Sequence, residues 1–324
     1  MKERFKIKPN FLVFKNQPQR LQEFEIDWSV SFFNSQQYTD YQDTNETYTF
    51  VLADDSKQKA LAFFHLFIDH KKGISPKQGS YGSIEISKNL SIVFTQNFVK
   101  SIIDFCQKLC LESIEIKHYP VCYDTKRSHI IEMTLFQSGF KVKTNYENLH
   151  LEVSDIPFEN TIHSSEKRRL QKCVKAGFIF EEIQQPDTEQ IYNYISDSRT
   201  TLGYKVTFQL DDLQAWFRLF SSSSIYQVFC VKHNQKIVAM SIIVNVLEGV
   251  LYNFCPADDL TYRRFSPAVM LTKGLYEYCQ TNGIKLLDLG VSIDANGQLK
   301  PTLSKFKQNL GAVSSQKKTY VFTF

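Results

Sequence analysis

The chain has 324 residues, of which 43% are hydrophobic and 22% charged. That length exceeds what one core usually fills, so two units of about 150 to 170 residues are expected, and the composition excludes wholesale disorder. The 38 basic and 34 acidic side chains leave a net charge of +4, too mild to require nucleic acid as a partner.

Aromatic residues are abundant (27 Phe, 16 Tyr, 2 Trp) while Gly is scarce at 12, which argues for aromatic cores and against a glycine-rich binding loop. Seven cysteines without paired spacing read as free thiols in a reducing compartment. The segment MKERFKIKPN has no apolar signal core, and the longest apolar run, 237–244, is far shorter than the roughly 20 residues needed to span a bilayer. A cytoplasmic protein with no membrane span is expected.

In chain order, ALAFFHLFID (60–69) and YGSIEI (81–86) read as strands, rich in aromatic and β-branched residues. The stretch 96–111 places Phe98, Ile102, Phe105 and Leu109 at helical spacing. A strand at 114–119, a helix at 130–137 stopped by Gly139, and the strands KVKTN and NLHLEV follow. The next segment, 163–177, reads as a helix with Ser164 or Ser165 as cap, Leu170 and Val174 on its apolar side and Gly177 as stop. Beyond it come a strand FIFEEI (178–183), helices at 188–201 and 211–220, and a short solvated serine loop at 221–224.

The C-terminal part repeats the earlier order. Strands at 235–246 and 250–257 precede a helix over 266–280, with Ser266 as N-cap, Pro267 in its first turn and Gly283 beyond its end. A strand LLDLGVS (286–292), a helix at 302–309 stopped by Gly311 and a closing strand at 317–324 complete the chain. Each half thus reads strand, strand, helix, strand, helix, strand. This predicts an α/β protein with mixed sheets in two similar units, 1–155 and 156–324.

Several phrases resemble a known family. The basic helix EKRRLQKCVKAG (166–177), RRFSPAVMLTKGL (263–275) and LLDLGVS with LSKFKQNLGA (286–312) resemble FemAB-like acyltransferases, the relatives of the Fem-type peptidyl aminoacyltransferases. ISPKQGSYGSIEI (74–86) and HYPVCYD (118–124) resemble the corresponding stretches of the first unit. The resemblance covers most of the chain and implies two tandem GNAT-like (acyl-CoA N-acyltransferase) domains, the second carrying the donor site. There are two departures. The turn 263–268 lacks the glycines of the GNAT pyrophosphate loop, and no heptad segment matches the coiled-coil arm of some Fem-type enzymes.

The resemblance implies transfer of an acyl or aminoacyl group to an amine, the acceptor being a small-molecule or peptide-like amine such as a cell-wall precursor. No cofactor is bound permanently; acyl-CoA or aminoacyl-tRNA serves as co-substrate, which leaves tRNA open as a partner. In such a sheet two strands splay apart, here 250–257 and 286–292, and their unpaired main chain can hold the reacting carbonyl. Tyr252, Asn253, Asp288 and Lys307 then surround the reacting centre, Lys307 matching the family's F-K lysine. Arg263, Arg264 and Ser266, ahead of a helix, suit a donor phosphate. Gly79 and Tyr81 are placed to line a substrate cleft, and Lys167 and Arg168 to touch a nucleotide or tRNA.

Each of these readings has a plainer alternative: core strands, a solvated basic turn or helix face, a structural carboxylate at Asp288 and surface lysines. The whole chain also admits a non-catalytic reading, a ligand- or partner-binding protein with degenerate GNAT-like domains, which the glycine-free turn favours. The seven histidines show no metal-ligand spacing, Cys106 and Cys110 suit apolar packing, and no nucleophile elbow is present, so no metal is expected.

Overall fold

The apolar and aromatic runs set the strands. In the computed structural model, which describes residues 9–42, 46–54, 56, 58–203, 206–220, 225–294 and 296–324, the chain begins with β1 (Pro9–Lys15), α1 (Gln36–Tyr41), β2 (Thr47–Asp54), β3 (Lys59–Asp69), β4 (Lys72–Ser75) and β5 (Glu85–Ile86). Then follow α2 (Ile92–Lys108), β6 (Ser113–Lys117), α3 (Thr125–Gln137), β7 (Lys141–Glu152), α4 (Ser164–Lys175), β8 (Ile179–Glu182), α5 (Thr188–Thr201) and α6 (Leu210–Leu219). The remainder is β9 (Tyr226–His233), β10 (Lys236–Leu247), β11 (Val250–Asp258), α7 (Pro267–Thr281), β12 (Leu286–Val291), α8 (Pro301–Asn309) and β13 (Val313–Thr323). The serine run 221–224 lies outside the described residues.

Two units emerge, the chain up to Tyr146 with Gln316–Phe324, and Glu147–Ser315. In the first, the strand order is β1-β2-β3-β4-β6-β13, with β5 paired to β3. In the second it is β8-β9-β10-β11-β12-β7. Between the strands of the described residues the pairing within each unit is antiparallel except once: β4 lies parallel to β6, and β11 parallel to β12. A parallel neighbour needs a crossover, and α2 and α7 supply it. The repeated order read from the sequence is therefore the repeated order of the fold.

This division differs from a single cut near residue 155. Strand β7 begins in the first unit and ends in the second, where residues 148–152 pair with β12. Strand β13 crosses the other way, and its residues 319–323 pair with β6. A strand reads alike whichever neighbour it pairs with, so local pattern cannot reveal this exchange. It also makes one strand of KVKTN and NLHLEV, which the sequence reads as two.

The core of the first unit is aromatic. Phe50 on β2 and Phe63, Phe64 and Phe67 on β3 are fully buried, as expected of central strands covered on both faces. In the second unit Leu149, Leu151, Leu251, Leu287 and Leu289 meet Leu170 and Cys173 of α4 and Leu275, Tyr276 and Cys279 of α7 in one cluster. Each such side chain removed from water contributes about 1.5–3 kcal/mol. Gly274 on α7 lets the helix approach Phe180 of β8, because a Cβ there would sit 2.2 Å from the ring.

Three local expectations change. Cys173, not Val174, completes the apolar side of α4, and Val174 is exposed. That helix is capped by His163, whose Nδ1 accepts from the Ser165 amide at 3.3 Å, and not by a serine. Ser266 precedes α7 in a left-handed conformation (φ +61°), and its side chain caps nothing; Pro267 starts the helix. Only residues 85–86 of the expected strand 81–86 join the sheet.

Candidate active site where two strands part

Strands β11 and β12 pair through Val250–Leu286, Leu251–Leu287 and Tyr252–Asp288, and there the pairing ends. Beyond that point β11 stays on β10 as far as Asp258, with an irregularity that skips Phe254. Strand β12 stays on β7, with a register shift between the Asp288–His150 and Val291–Asn148 pairs. The stretches 253–258 and 289–291 therefore diverge. An interrupted parallel pair exposes main-chain groups that a continuous ladder would consume.

Cross-strand partners point to the same face of a sheet. Tyr252, Asp288 and His150 accordingly stand in one row across β11, β12 and β7, with Asn148 two residues from His150 on the same face. The alternating residues Leu251, Leu287, Leu149 and Leu151 face the core that includes α7. One face of the parting is thus polar and the other packed.

Asp288 is 1% exposed, so its charge must be matched. Its Oδ1 accepts from Asn148 Nδ2 at 2.7 Å and from the Gly290 amide at 2.7 Å. The second bond closes a tight turn at Gly290, which has φ +72°, and a Cβ there would lie 3.3 Å from the Tyr252 ring. The turn presents the Gly290 and Val291 carbonyls to α8, and Lys307 Nζ donates to both at 2.9 Å. Lys307 is 7% exposed, and burial, reinforced by the nearby Arg199 charge and opposed by Asp288 and Glu147, pulls its pKa down to about 8. Arg199, at the end of α5, donates to the Pro256 carbonyl of β11 at 3.2 Å.

Burial holds the His150 imidazole below its usual pKa, against the pull of Asp288 and Glu152, which favours the neutral ring. Around Asp288 and Lys307 three buried polar atoms have no hydrogen-bond partner among the described residues: Asn148 Oδ1, His150 Nδ1 and Ser292 Oγ. Buried groups of this kind call for a water or a ligand.

Of the residues selected from the sequence, Tyr252, Asp288 and Lys307 come together here. Asn253 does not: it alternates to the opposite face, and its Oδ1 accepts from Ser241 Oγ of β10. Arg263, Arg264 and Ser266 sit ahead of α7, the helix on the packed face. Arg264 lies 4.7 Å over the Phe265 ring, while burial raises the pKa of Asp258 against the opposing charge of Arg263.

Of the first-unit selections, Tyr81 requires correction. Tyr81 has no exposed surface: its hydroxyl bonds Ser31 Oγ at 2.7 Å, and Phe33, Tyr119 and Tyr123 surround its ring. Gly79 (φ +111°) lies so close to Tyr38 that a Cβ would meet its hydroxyl at 2.9 Å. Tyr81 therefore serves the core and presents no surface to a cleft, whereas Gly79 is itself exposed. On α4, Arg168 is exposed and Lys167 half-buried, while Arg169 pairs with the buried Glu166 at 3.0 Å.

The sequence reading missed Asn148, His150, Gly290, Ser292 and Arg199. The one local signal was the alternation Asn148-Leu149-His150-Leu151, which marks a strand with one polar face. Among the described residues no group of three or more His, Cys, Asp or Glu is placed to hold a metal, and no helix is long and apolar enough to cross a membrane.

No family description and no curated protein matches the sequence. Solved structures do match the fold. FemX covers 97% of each chain with a TM-score of 0.68 at 11% identity. The C-terminal domain of a lysylphosphatidylglycerol synthetase from Agrobacterium fabrum covers 81% of each chain with a TM-score of 0.54 at 11% identity. A tandem GNAT protein from the clavulanic acid biosynthesis pathway covers 86% of this chain and 82% of its own, with a TM-score of 0.51 at 8% identity. Identities this low speak for the fold alone, and the fold they show is the tandem GNAT type that FemX shares.

Proposed function

We propose that the protein transfers an acyl or aminoacyl group from an activated donor to an amine, with the reacting carbonyl seated where β11 and β12 part. The observation that carries this reading is the end of the parallel pairing at Tyr252–Asp288, beside the buried ammonium of Lys307. In the reaction the amine forms a C–N bond with the carbonyl carbon while the C–S bond of a thioester, or the C–O bond of an ester, breaks. The proton lost by the amine ends on the departing thiol or hydroxyl. Negative charge develops on the carbonyl oxygen in between, so fixed donors aimed at that point accelerate the step. Lys307 has three N–H bonds and spends two on Gly290 and Val291, which leaves one for such an oxygen.

The unpartnered atoms of Asn148, His150 and Ser292 suit the acceptor's amine or the water that passes on its proton. Asp288 orients Asn148 and balances the charge of Lys307. The donor is an acyl-CoA or an aminoacyl-tRNA, with its phosphates toward Arg263, Arg264 and Ser266. The acceptor is a small-molecule or peptide-like amine, and the cytoplasm, where these co-substrates occur, is the proposed location. The fold shared with the C-terminal domain of a lysylphosphatidylglycerol synthetase, an enzyme named for joining an amino acid to a lipid, supports the aminoacyl option.

The glycine-free turn ahead of α7 favours a second reading, a binding protein that has lost its donor site. Incubation of the purified protein with acyl-CoAs and with charged tRNAs, each with a panel of amines, decides between them. Donor consumption that falls in Lys307→Met supports transfer. Absence of both turnover and any CoA-induced rise in melting temperature refutes it.

A further inference from the structure

The proton that an attacking amine gives up needs an acceptor, and at the parted strands His150 is the group that fits. Tyr252 ordinarily keeps its proton until about pH 10. The Asp288 carboxylate is held at Oδ1 by Asn148 and the Gly290 amide and faces the charge of Lys307. Lys307 gives two N–H bonds to the Gly290 and Val291 carbonyls, so it serves as a donor. His150 is 5% exposed and pairs across the strands with Asp288, which sets their Cβ atoms about 4.5–5.5 Å apart on one face. Its Nδ1 has no hydrogen-bond partner among the described residues. Beside it the fully buried Asn148 turns Nδ2 to Asp288 and leaves Oδ1 free. Two free polar atoms two residues apart on one strand face suit a group that brings its own N–H bonds, as an amine does.

The charges around the imidazole act in both directions. Burial lowers its pKa, while Asp288 of β12 and Glu152 of β7 favour its protonation and are outweighed. Beyond Asp288, the charges that act on Lys307 of α8 are Arg199 of α5 and Glu147 of β7. The ring is therefore neutral at pH 7, the state a base requires.

We propose that His150 is the general base of the transfer and that Asn148 holds the amine against it, an inference that rests on the acyl-transfer reading. The amine nitrogen forms the C–N bond while the carbonyl π electrons move to oxygen, which meets Lys307. His150 takes the proton from that nitrogen. The C=O bond then re-forms, the C–S or C–O bond breaks, and the imidazolium returns the proton to the departing sulfur or oxygen. Initial rates of the native protein and of His150→Gln test this from pH 5 to 9, with the donor and amine consumed in the assay above. Titration of the amine is common to both proteins and cancels in the ratio of their kcat/KM values. His150→Gln is expected to be about 100-fold slower at pH 8. The deficit is expected to shrink as the pH falls below 6.5 and the native ring takes up its proton. Glu152→Gln, at an exposed position, removes a carboxylate that favours the protonated ring, so the low-pH fall in rate is expected at lower pH than in the native protein. That variant keeps the test decisive where His150→Gln fails to fold. A ratio independent of pH, which a structural role or a Lys307 base would give, overturns the proposal and leaves acyl transfer standing, as does a low-pH fall unmoved in Glu152→Gln. Absence of turnover in the native protein refutes the transfer reading itself, and this inference with it.

Discussion

The ammonium of Lys307 must show itself in the dependence of stability on pH. An unfolded lysine keeps its proton up to about pH 10.5, whereas folded Lys307 releases it near 8. Between these values the unfolded chain binds more protons, so stability rises with pH. The penalty of the buried charge is fully present below pH 8 and gone above 10.5. The fall from 10.5 to about 8 corresponds to about 3 kcal/mol. Lys307→Met has no proton to lose at that site, and it leaves the Gly290 and Val291 carbonyls without their donor, at about 1–3 kcal/mol each.

Urea denaturation of both proteins at pH 7, 8.5 and 10 isolates the effect, because every other titrating group cancels in the difference. The stability of the native protein relative to Lys307→Met is expected to increase by about 2–3 kcal/mol across this series. Curves that run parallel refute the buried charge, and with it the lysine's place at the parted strands.

Asp288→Ala removes the acceptor of Asn148 and of the Gly290 amide and leaves Lys307 without its nearest counter-charge, so a loss of about 2–4 kcal/mol is expected in denaturant titration, with Asp288→Asn milder. Deletion of Gln316–Phe324 takes away the β13 residues that pair with β6 and the buried Tyr320; calorimetry is expected to show the first unit melting early while the second keeps its own transition. Gly274→Ala drives a methyl into Phe180 and is expected to cost about 1–3 kcal/mol, with partial recovery in Phe180→Leu.

Where side chains carry their own periodicity, the sequence was legible. The duplicated strand and helix order and the stops at Gly139 and Gly311, both at positive φ, are local properties, and they appear in the fold as expected. Asp288 stood out because a carboxylate between leucines demands partners, and Lys307 because of the family phrase around it. His150 and Asn148 did not, since their meeting with Asp288 depends on a register between strands 140 residues apart. Tyr81 misled for the opposite reason. A tyrosine beside glycines looks like a loop residue, and only the surrounding rings reveal that it belongs to the core. The exchange of β7 and β13 was invisible because pairing partners leave no local trace.

Duplication of the fold has not duplicated the opening. In the first unit the parallel pair ends at Ser75–Ile116, the counterpart of Tyr252–Asp288. The chain then folds back into the place where the strands would part. The Gly82 amide donates to the Lys117 carbonyl at 2.9 Å, and Ser83 Oγ meets His118 Nδ1 at 2.6 Å. In the second unit the carbonyls at the corresponding end of β12 face the Lys307 ammonium; in the first, the chain's own amide takes that role. Glycine alone fits the fold-back, since a Cβ at Gly82 would lie 2.7 Å from the Pro76 nitrogen. Gly82→Ala is therefore expected to lower the melting temperature while the activity of the protein that remains folded is kept, whereas Lys307→Arg is expected to lower turnover while the protein remains folded. Thermal melts paired with active-fraction assays separate the two, and loss of turnover per folded molecule in Gly82→Ala would mean that the first unit has kept a working site.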